Sequence, residues 1–251
     1  MLKPRDNHSE PDRHNRIADW FQSSLGRLLT AQEQVCLERR LTSLFGYYLI
    51  QIGVCDPKLD LLRSSPAKSK LLLDVGQRSV SLRADPLRLP LTSDSVDGVL
   101  MHHTIDFSQA PHQILREAER VLIPEGKLLI VGFNPWSLWG GWRLFHLHGG
   151  MPPWTGHFFS MRRVSDWLSL LGFDLLAVEH LNFRPPLQSQ RLMQQMVFME
   201  RFGERLWPLA GAVYVLEAVK RTLTMTPIRP KWRIRKKVLP ATVEPSTRNV
   251  Q

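Results

Sequence analysis

The sequence predicts an α/β protein whose mainly parallel sheet is covered by helices on both faces, and three observations carry this. Strand-like runs alternate with segments of helical periodicity along most of the chain. The middle of the chain reads as strand, helix, strand over 96–102, 109–122 and 127–133. The helix among these has Ile114, Leu115, Ala118, Val121 and Leu122 on one side, with Arg116, Glu117, Glu119 and Arg120 mostly elsewhere. That is the pattern of a surface helix lying on a sheet.

Taken in order, residues 1–15 are charged, contain Pro4 and Pro11 and lack periodicity, so the N-terminus over 1–16 is expected to be disordered. Over 17–44 the spacing of Trp20, Leu25, Leu28, Leu29, Val35, Leu37, Leu41 and Leu44 turns helical, for one or two amphipathic helices with a break near Gly26 or Thr30. Residues 47–53 are rich in β-formers and end on Gly53, giving the first strand. A short helix can occupy 57–64, because proline is tolerated in a first helical turn. Two short strands follow at 70–74 and 79–83. After the central strand–helix unit, Pro124-Glu125-Gly126 forms the turn into the strand at 127–133. The stretch 135–155 is irregular and rich in Trp, Gly and Pro. A helix over 161–171 stops at Gly172, the usual C-terminal glycine signal. A strand spans 173–182, and a helix with Met193, Met196, Val197 and Met199 covers 188–206 and stops near Pro208. The last strand is 211–221. The expected organisation is one domain over 17–221 and a basic tail over 222–251.

Composition narrows the function classes. Hydrophobic residues make up 43% of the 251, enough to bury a core. The first residues lack the apolar stretch of an export signal, and no apolar run reaches the ~20 residues that span a bilayer. Two cysteines, Cys36 and Cys55, make neither a disulfide framework nor a cysteine-rich zinc site, and point to a reducing cytosol. A net charge of +10 favours anionic partners: nucleic acid, an acidic membrane surface or acidic metabolites. Part of it sits in Arg229, Lys231, Arg233, Arg235, Lys236 and Lys237, interleaved with Trp232 and Ile234; this tail reads either as a solvated segment or as a contact for such a partner. No phosphate-binding loop, paired-histidine metal motif or Gly-x-Ser-x-Gly elbow occurs, which argues against an ATPase, a metalloenzyme or an α/β-hydrolase.

Two runs carry a family resemblance. The first is Ala84-Asp85-Pro86-Leu87-Arg88-Leu89-Pro90-Leu91 followed by Asp94-Ser95-Val96-Asp97-Gly98-Val99-Leu100. The second is Leu115-Arg116-Glu117-Ala118-Glu119-Arg120-Val121-Leu122-Ile123-Pro124-Glu125-Gly126. Together they resemble the small-molecule, type 11 branch of the class I S-adenosylmethionine-dependent methyltransferases. The run from Gly132 to Gly140, Gly-Phe-Asn-Pro-Trp-Ser-Leu-Trp-Gly, is similar to a signature of one bacterial subgroup of methyltransferase-like proteins. The resemblance implies a Rossmann-like seven-stranded sheet with the last strand antiparallel.

It also implies a site. Asp85, at the carboxyl edge of a strand, would accept a hydrogen bond from the adenine amine of S-adenosylmethionine, with Pro86 and Leu87 beside the ring. Asp85-Pro86 reads equally as a plain turn. Asp74 stands where the family has its ribose-binding acid. His102 and His103, at the next strand end, would lie near the transferred methyl. Strand alternation puts these two on opposite faces, so one at most meets a ligand, and His103 matches the family position. His103 would be the base where the acceptor loses a proton, with Asp106 a second polar candidate at the same rim. The bland reading of His103 is a hydrogen-bonded structural histidine, and of Arg116, Glu117 and Arg120 an exposed salt-bridging face. Trp136, Trp139, Trp142 and Trp154 would roof an acceptor pocket or form a hydrophobic flap.

The family's acid and glycine-rich first turn is reduced here to Gln51-Ile52-Gly53. Gln51 stands at the acid and Gly53 is the one retained glycine. Asp74-Val75-Gly76 is not that motif displaced, because a single strand would then separate it from Asp85. The leading function is methyl transfer to a small-molecule acceptor in the cytoplasm. The alternatives are a non-catalytic methyltransferase-like binding or scaffold protein with an eroded cofactor motif, and an RNA-associated protein.

Overall fold

The computed structural model describes residues 10–53, 60–74, 81–146, 151–186, 203, 205 and 207–221. Its elements are α1 (Glu10–Phe21), α2 (Ser24–Leu41), β1 (Tyr48–Gly53), β2 (Ser69–Asp74), β3 (Leu82–Arg83), β4 (Val96–His102), α3 (Pro111–Val121), β5 (Leu122–Phe133), α4 (Leu138–His146), α5 (Met161–Leu170), β6 (Phe173–Leu181) and β7 (Val213–Lys220). One seven-stranded sheet runs β3-β2-β1-β4-β5-β7-β6. The pairs from β3 through β5 are parallel. Strand β7 is antiparallel to both β5 and β6, so the last strand is inserted in reverse. Because β1 lies centrally between β2 and β4, the first strand of the fold ends at Gly53 and not at Asp74.

Alternation along the central strands divides the core into two layers. Leu49, Leu100, Leu129, Val131 and Phe133 pack beneath α1 and α2 with Ile17, Phe21, Leu29, Leu37 and Trp139. Ile50, Ile52, Val99, Met101, Leu128 and Ile130 pack on the other face with α3 and α5, through Ile114, Leu115, Ala118, Val164 and Leu168.

Several local expectations change. Helix α1 begins at Glu10, inside the stretch 1–16 expected to lack structure. The break in the helical region falls at Gln22–Ser23, where Ser23 Oγ accepts the Gly26 N–H at 3.1 Å as an N-cap. Gly26 is not a breaker: a Cβ there would stand 2.4 Å from Trp20 O and 2.6 Å from Phe21 Cα, so its missing side chain is what lets α2 start against the end of α1. Residues 124–126 are not a separate turn but part of the long strand β5, with Glu125 at φ 62° and a register shift against Val96/Gly98. Residues 61–64 form a turn. The helix expected at 188–206, apart from 203 and 205, lies outside the described residues, as do positions 54–59, 75–80 and the tail 222–251.

The family-like runs build the frame. Asp97 Oδ2 accepts the backbone N–H groups of Tyr47 and Tyr48, both at 2.8 Å, and so fixes the start of β1. Asp94 pairs with Lys220 of β7 at 2.8 Å. Glu117 and Arg120 are more than an exposed ion pair: Glu117 accepts the Leu89 N–H at 2.9 Å, and Arg120 donates to Leu89 O and Leu91 O at 3.0 and 2.8 Å. The pair clamps the loop after β3 onto α3. Arg120→Ala is expected to cost about 2 kcal/mol, its bonds to Leu89 O and Leu91 O and its half-exposed ion pair with Glu117 being lost, and to raise hydrogen exchange at the Leu89 amide. Denaturant titration and exchange mass spectrometry measure the two effects.

Candidate functional site

Open α/β sheets bind ligands beyond the carboxyl ends of their strands, where the strand order reverses. Here that point lies between β1 and β4, whose last residues, Gly53 and His102, are register partners. Gly53 has φ 109°, and a Cβ there would meet Thr104 Oγ1 at 2.3 Å and His102 O at 2.6 Å. Thr104 Oγ1 donates to Ile52 O at 2.6 Å, tying the loop after β4 to the end of β1. The glycine is thus required by the protein's own packing.

Next along the edge, Asp74 ends β2 and is buried, with its Cα in register with Arg83 of β3. Just past β3, exposed Asp85 opens a turn: its Oδ1 accepts the Leu87 N–H at 2.8 Å, and its carbonyl accepts the Arg88 N–H at 3.0 Å. Pro86 is buried and Leu87 half-buried against the α3 layer. Asp85-Pro86 thus forms a turn, and a carboxylate with one lone pair engaged keeps others for an amine. Gln51 sits within β1, opposite Leu72 and Leu100, buried on the face covered by α2 rather than at the strand end.

The polar centre of the molecule lies beside this edge. His102 Nε2 meets Glu33 Oε2 at 2.9 Å, and His103 Nε2 meets Glu33 Oε1 at 2.9 Å. His103 Nδ1 meets Asp106 Oδ2 at 3.0 Å, and the same oxygen accepts the Phe133 N–H at 2.9 Å. All four side chains are buried. Phe21 covers both imidazoles at 5.3 and 5.2 Å between ring centroids, and Phe133 lies 4.2 Å from His103. The expectation that the two histidines face opposite sides is overturned. Strand β4 ends at His102, and His103 takes φ 53°, which turns its side chain back to the same carboxylate.

Glu33 was not among the expected site residues. Its signal is in the sequence: it interrupts the apolar α2 stripe between Leu29 and Leu37, four residues from each. A charge on a buried stripe calls for a partner. Burial opposes ionisation of Glu33, but the charge of His103 and hydrogen bonds from both histidines outweigh it and bring the carboxyl down to about 2. Burial likewise opposes the charged form of His103, yet Glu33 and Asp106 lift it to about 9. Burial pushes the Asp106 carboxyl up, and its hydrogen bonds offset this only in part. The two carboxylates accordingly favour the charged form of His103. The donor atoms of Glu33, His102 and His103 lie within 4.8 Å of one another, the composition of a metal trio. Each Glu33 oxygen is instead engaged by one imidazole.

The tryptophans divide. Trp139 is buried, stacks on Phe133 at 6.0 Å and donates to Arg184 O at 2.9 Å. Trp154 is partly buried against it, and Trp136 and Trp142 are exposed. The Gly132–Gly140 run has a structural logic. Asn134 Nδ2 donates to Leu209 O and Gly211 O at 2.7 and 2.9 Å, and Gly140 lets Pro135 O approach where a Cβ would stand at 2.0 Å.

Comparison with known proteins bears on this edge. The family model described as "Methyltransferase domain" matches residues 39–130, which run from before β1 into β5 and include the site residues expected from the sequence but not Glu33. A chain from the complex of the Haloferax volcanii Trm112 methyltransferase activator with a methyltransferase superposes with a TM-score of 0.61 at 14% identity, over 85% of this chain and 98% of that one. A SAM-dependent methyltransferase from Archaeoglobus fulgidus gives 0.56 at 15% identity, over 80% and 97%. These likenesses show the fold, and the domain match finds similarity to a methyltransferase domain over residues 39–130, for which S-adenosylmethionine is the implied cofactor. The chain belongs to the family of the uncharacterized protein YafS of Escherichia coli strain K12, with which it is 32% identical over 198 residues, 76% of this chain and 77% of that protein.

The residues fit the adenosine half of that cofactor. Two carboxylates, Asp74 and Asp85, stand at adjacent strand ends, with apolar Pro86 and Leu87 between Asp85 and the core. Among the described residues no helix is long and apolar enough to cross a membrane.

Proposed function

We propose that the protein transfers a methyl group from S-adenosylmethionine to a small-molecule acceptor in the cytoplasm. The observation that carries this reading is the pair of acids at the ends of β2 and β3, beside the reversal point of a methyltransferase-type sheet. Asp85 and Asp74 take the adenine amine and the ribose hydroxyls, while Pro86 and Leu87 give the ring an apolar seat. Gly53 carries the backbone past the methionine portion. The cofactor supplies an activated methyl on a sulfonium, so the chain mainly has to bind, orient and exclude water. His102, His103 and Asp106 hold positions near the methyl. The Glu33 and Asp106 carboxylates favour the protonated form of His103, which works against its accepting a proton there. We assign His103 and Asp106 a positioning role: with Glu33 they fix α2 as the dry wall of the edge, and loss of an acceptor proton falls to solvent or to the acceptor.

Calorimetric titration with S-adenosylmethionine and S-adenosylhomocysteine tests this reading. Micromolar binding is expected, with at least a tenfold loss in Asp85→Ala (about 1.4 kcal/mol). Asp85→Asn, whose amide oxygen still takes the Leu87 N–H, separates loss of the turn from loss of the charge. Heat from neither ligand at millimolar concentration would leave the second reading, a non-catalytic binding protein. That reading draws support from Gly53, whose open side is filled by Thr104 and the His102 carbonyl.

A further inference from the structure

A second surface is built where β5 ends. The side chain of Asn134 holds the loop carrying Leu209 and Gly211, and so brings two distant segments together at one edge. Both segments present large apolar side chains to solvent. Trp136 is 79% exposed, Leu138 50%, Leu144 66% and Trp142 39%, all on or beside α4; Trp207 is 72% and Leu209 57% exposed on the facing loop. An open groove of about 380 Å³, floored by Gly140 and Gly141, runs between Trp136 and Leu144. Water-soluble surfaces seldom gather large apolar groups in this way without a partner.

The charge pattern selects the partner. No aspartate or glutamate occurs between Gly126 and Ser165, whereas Arg143, Arg162 and Arg163 do, and exposed Arg205 precedes Trp207. The whole chain carries +10. Tryptophan favours the headgroup level of a bilayer, where its ring is buried and its N–H stays wet. A short helix with Trp and Leu outward, in a stretch of chain that carries arginines and no acidic residue, matches an interfacial element lying in the plane of an anionic membrane. We propose that the face formed by α4 and the Trp207–Leu209 loop docks reversibly on anionic lipid surfaces. The face begins at the carboxyl end of β5, on the same edge as the ends of β1 and β4, but docking does not depend on methyl transfer.

Flotation of the full-length protein with vesicles tests the assignment. Vesicles of phosphatidylethanolamine with phosphatidylglycerol should carry the protein upward and shift tryptophan emission to shorter wavelength. Vesicles of phosphatidylcholine alone should do so much less. The surface variant Trp136→Ser/Leu138→Ser/Trp207→Ser, with an unchanged circular dichroism spectrum, should lose at least about tenfold in partitioning. A tail variant with Arg233, Arg235, Lys236 and Lys237 changed to Gln should retain the emission shift. The proposal is overturned if the protein ignores anionic vesicles, or if the surface variant floats as well as the parent while the tail variant fails. It is equally overturned if sedimentation shows a dimer that the surface variant dissociates while vesicles capture neither protein.

Discussion

Glu33→Ala is expected to lower the unfolding free energy by about 3–5 kcal/mol, the cost of leaving a buried charge without its partner. The variant strands His103 under Phe21 with only Asp106 for company, and removes the bond from α2 to His102. Glu33→Gln should cost less, because an amide oxygen still accepts from one imidazole. Urea denaturation of the three proteins gives the order. The same network sets a pH signature. His103 is raised from 6.5 to about 9 in the folded protein, so its contribution is whole below pH 6.5 and is lost as pH rises through 9. Glu33 is lowered from 4.5 to about 2, so its contribution is whole above pH 4.5 and is lost as pH falls through 2. The two describe one interaction seen from either partner and are not summed. Stability should therefore be greatest between pH 4.5 and 6.5 and fall by about 3 kcal/mol towards pH 9.5, at 1.36 kcal/mol per pKa unit. In Glu33→Ala the alkaline limb should flatten. An unaltered limb would mean that His103 is neutral in the folded protein.

Gly53→Ala is expected to cost about 3 kcal/mol or more, from two separable sources. A φ of 109° is strained for any residue with a Cβ, and the added carbon would stand 2.3 Å from Thr104 Oγ1 and 2.6 Å from the His102 carbonyl. Thr104 would have to turn away and surrender its bond to Ile52 O. Adding Thr104→Ala to Gly53→Ala should recover the part due to the hydroxyl and leave the backbone strain and the His102 contact. Full additivity of the two substitutions would show that the close contact carries no energy.

The sheet was legible because strands and surface helices write their burial into local periodicity. The unit from β4 through α3 to β5 could be read within a few residues of its bounds, and the reversed β7 came through resemblance. What resisted reading was non-local. Gly26 looks like a breaker in isolation, and only the approach of Trp20 and Phe21 explains it. His102 and His103 obey alternation until the chain takes φ 53°, a turn that neighbouring residue types do not announce. Glu33 meets histidines 69 and 70 positions away, so nothing within its own helix names its partners. Asp74 ends β2 and Asp85 lies just past β3, as expected, whereas Gln51 lies deeper in β1 than the strand end expected for it.

Helix α2 spans the sheet. Through Glu33 it holds β4, and through Arg39 and Arg40 it holds Glu179 of β6 and Glu217 of β7 at 2.6 to 3.1 Å. Those partners emerge in sequence as the chain is made: the histidines first, Glu179 next, and Glu217 almost at the end of the sheet. On the ribosome the helix is made before all of these partners and is among the last elements of the sheet's cover to be fully engaged. Its apolar stripe, with Leu29, Cys36, Leu37 and Leu41, has to wait for most of the domain to be synthesised. Substitutions that weaken this helix would therefore act first on yield during synthesis, and only afterwards on the stability of the finished molecule.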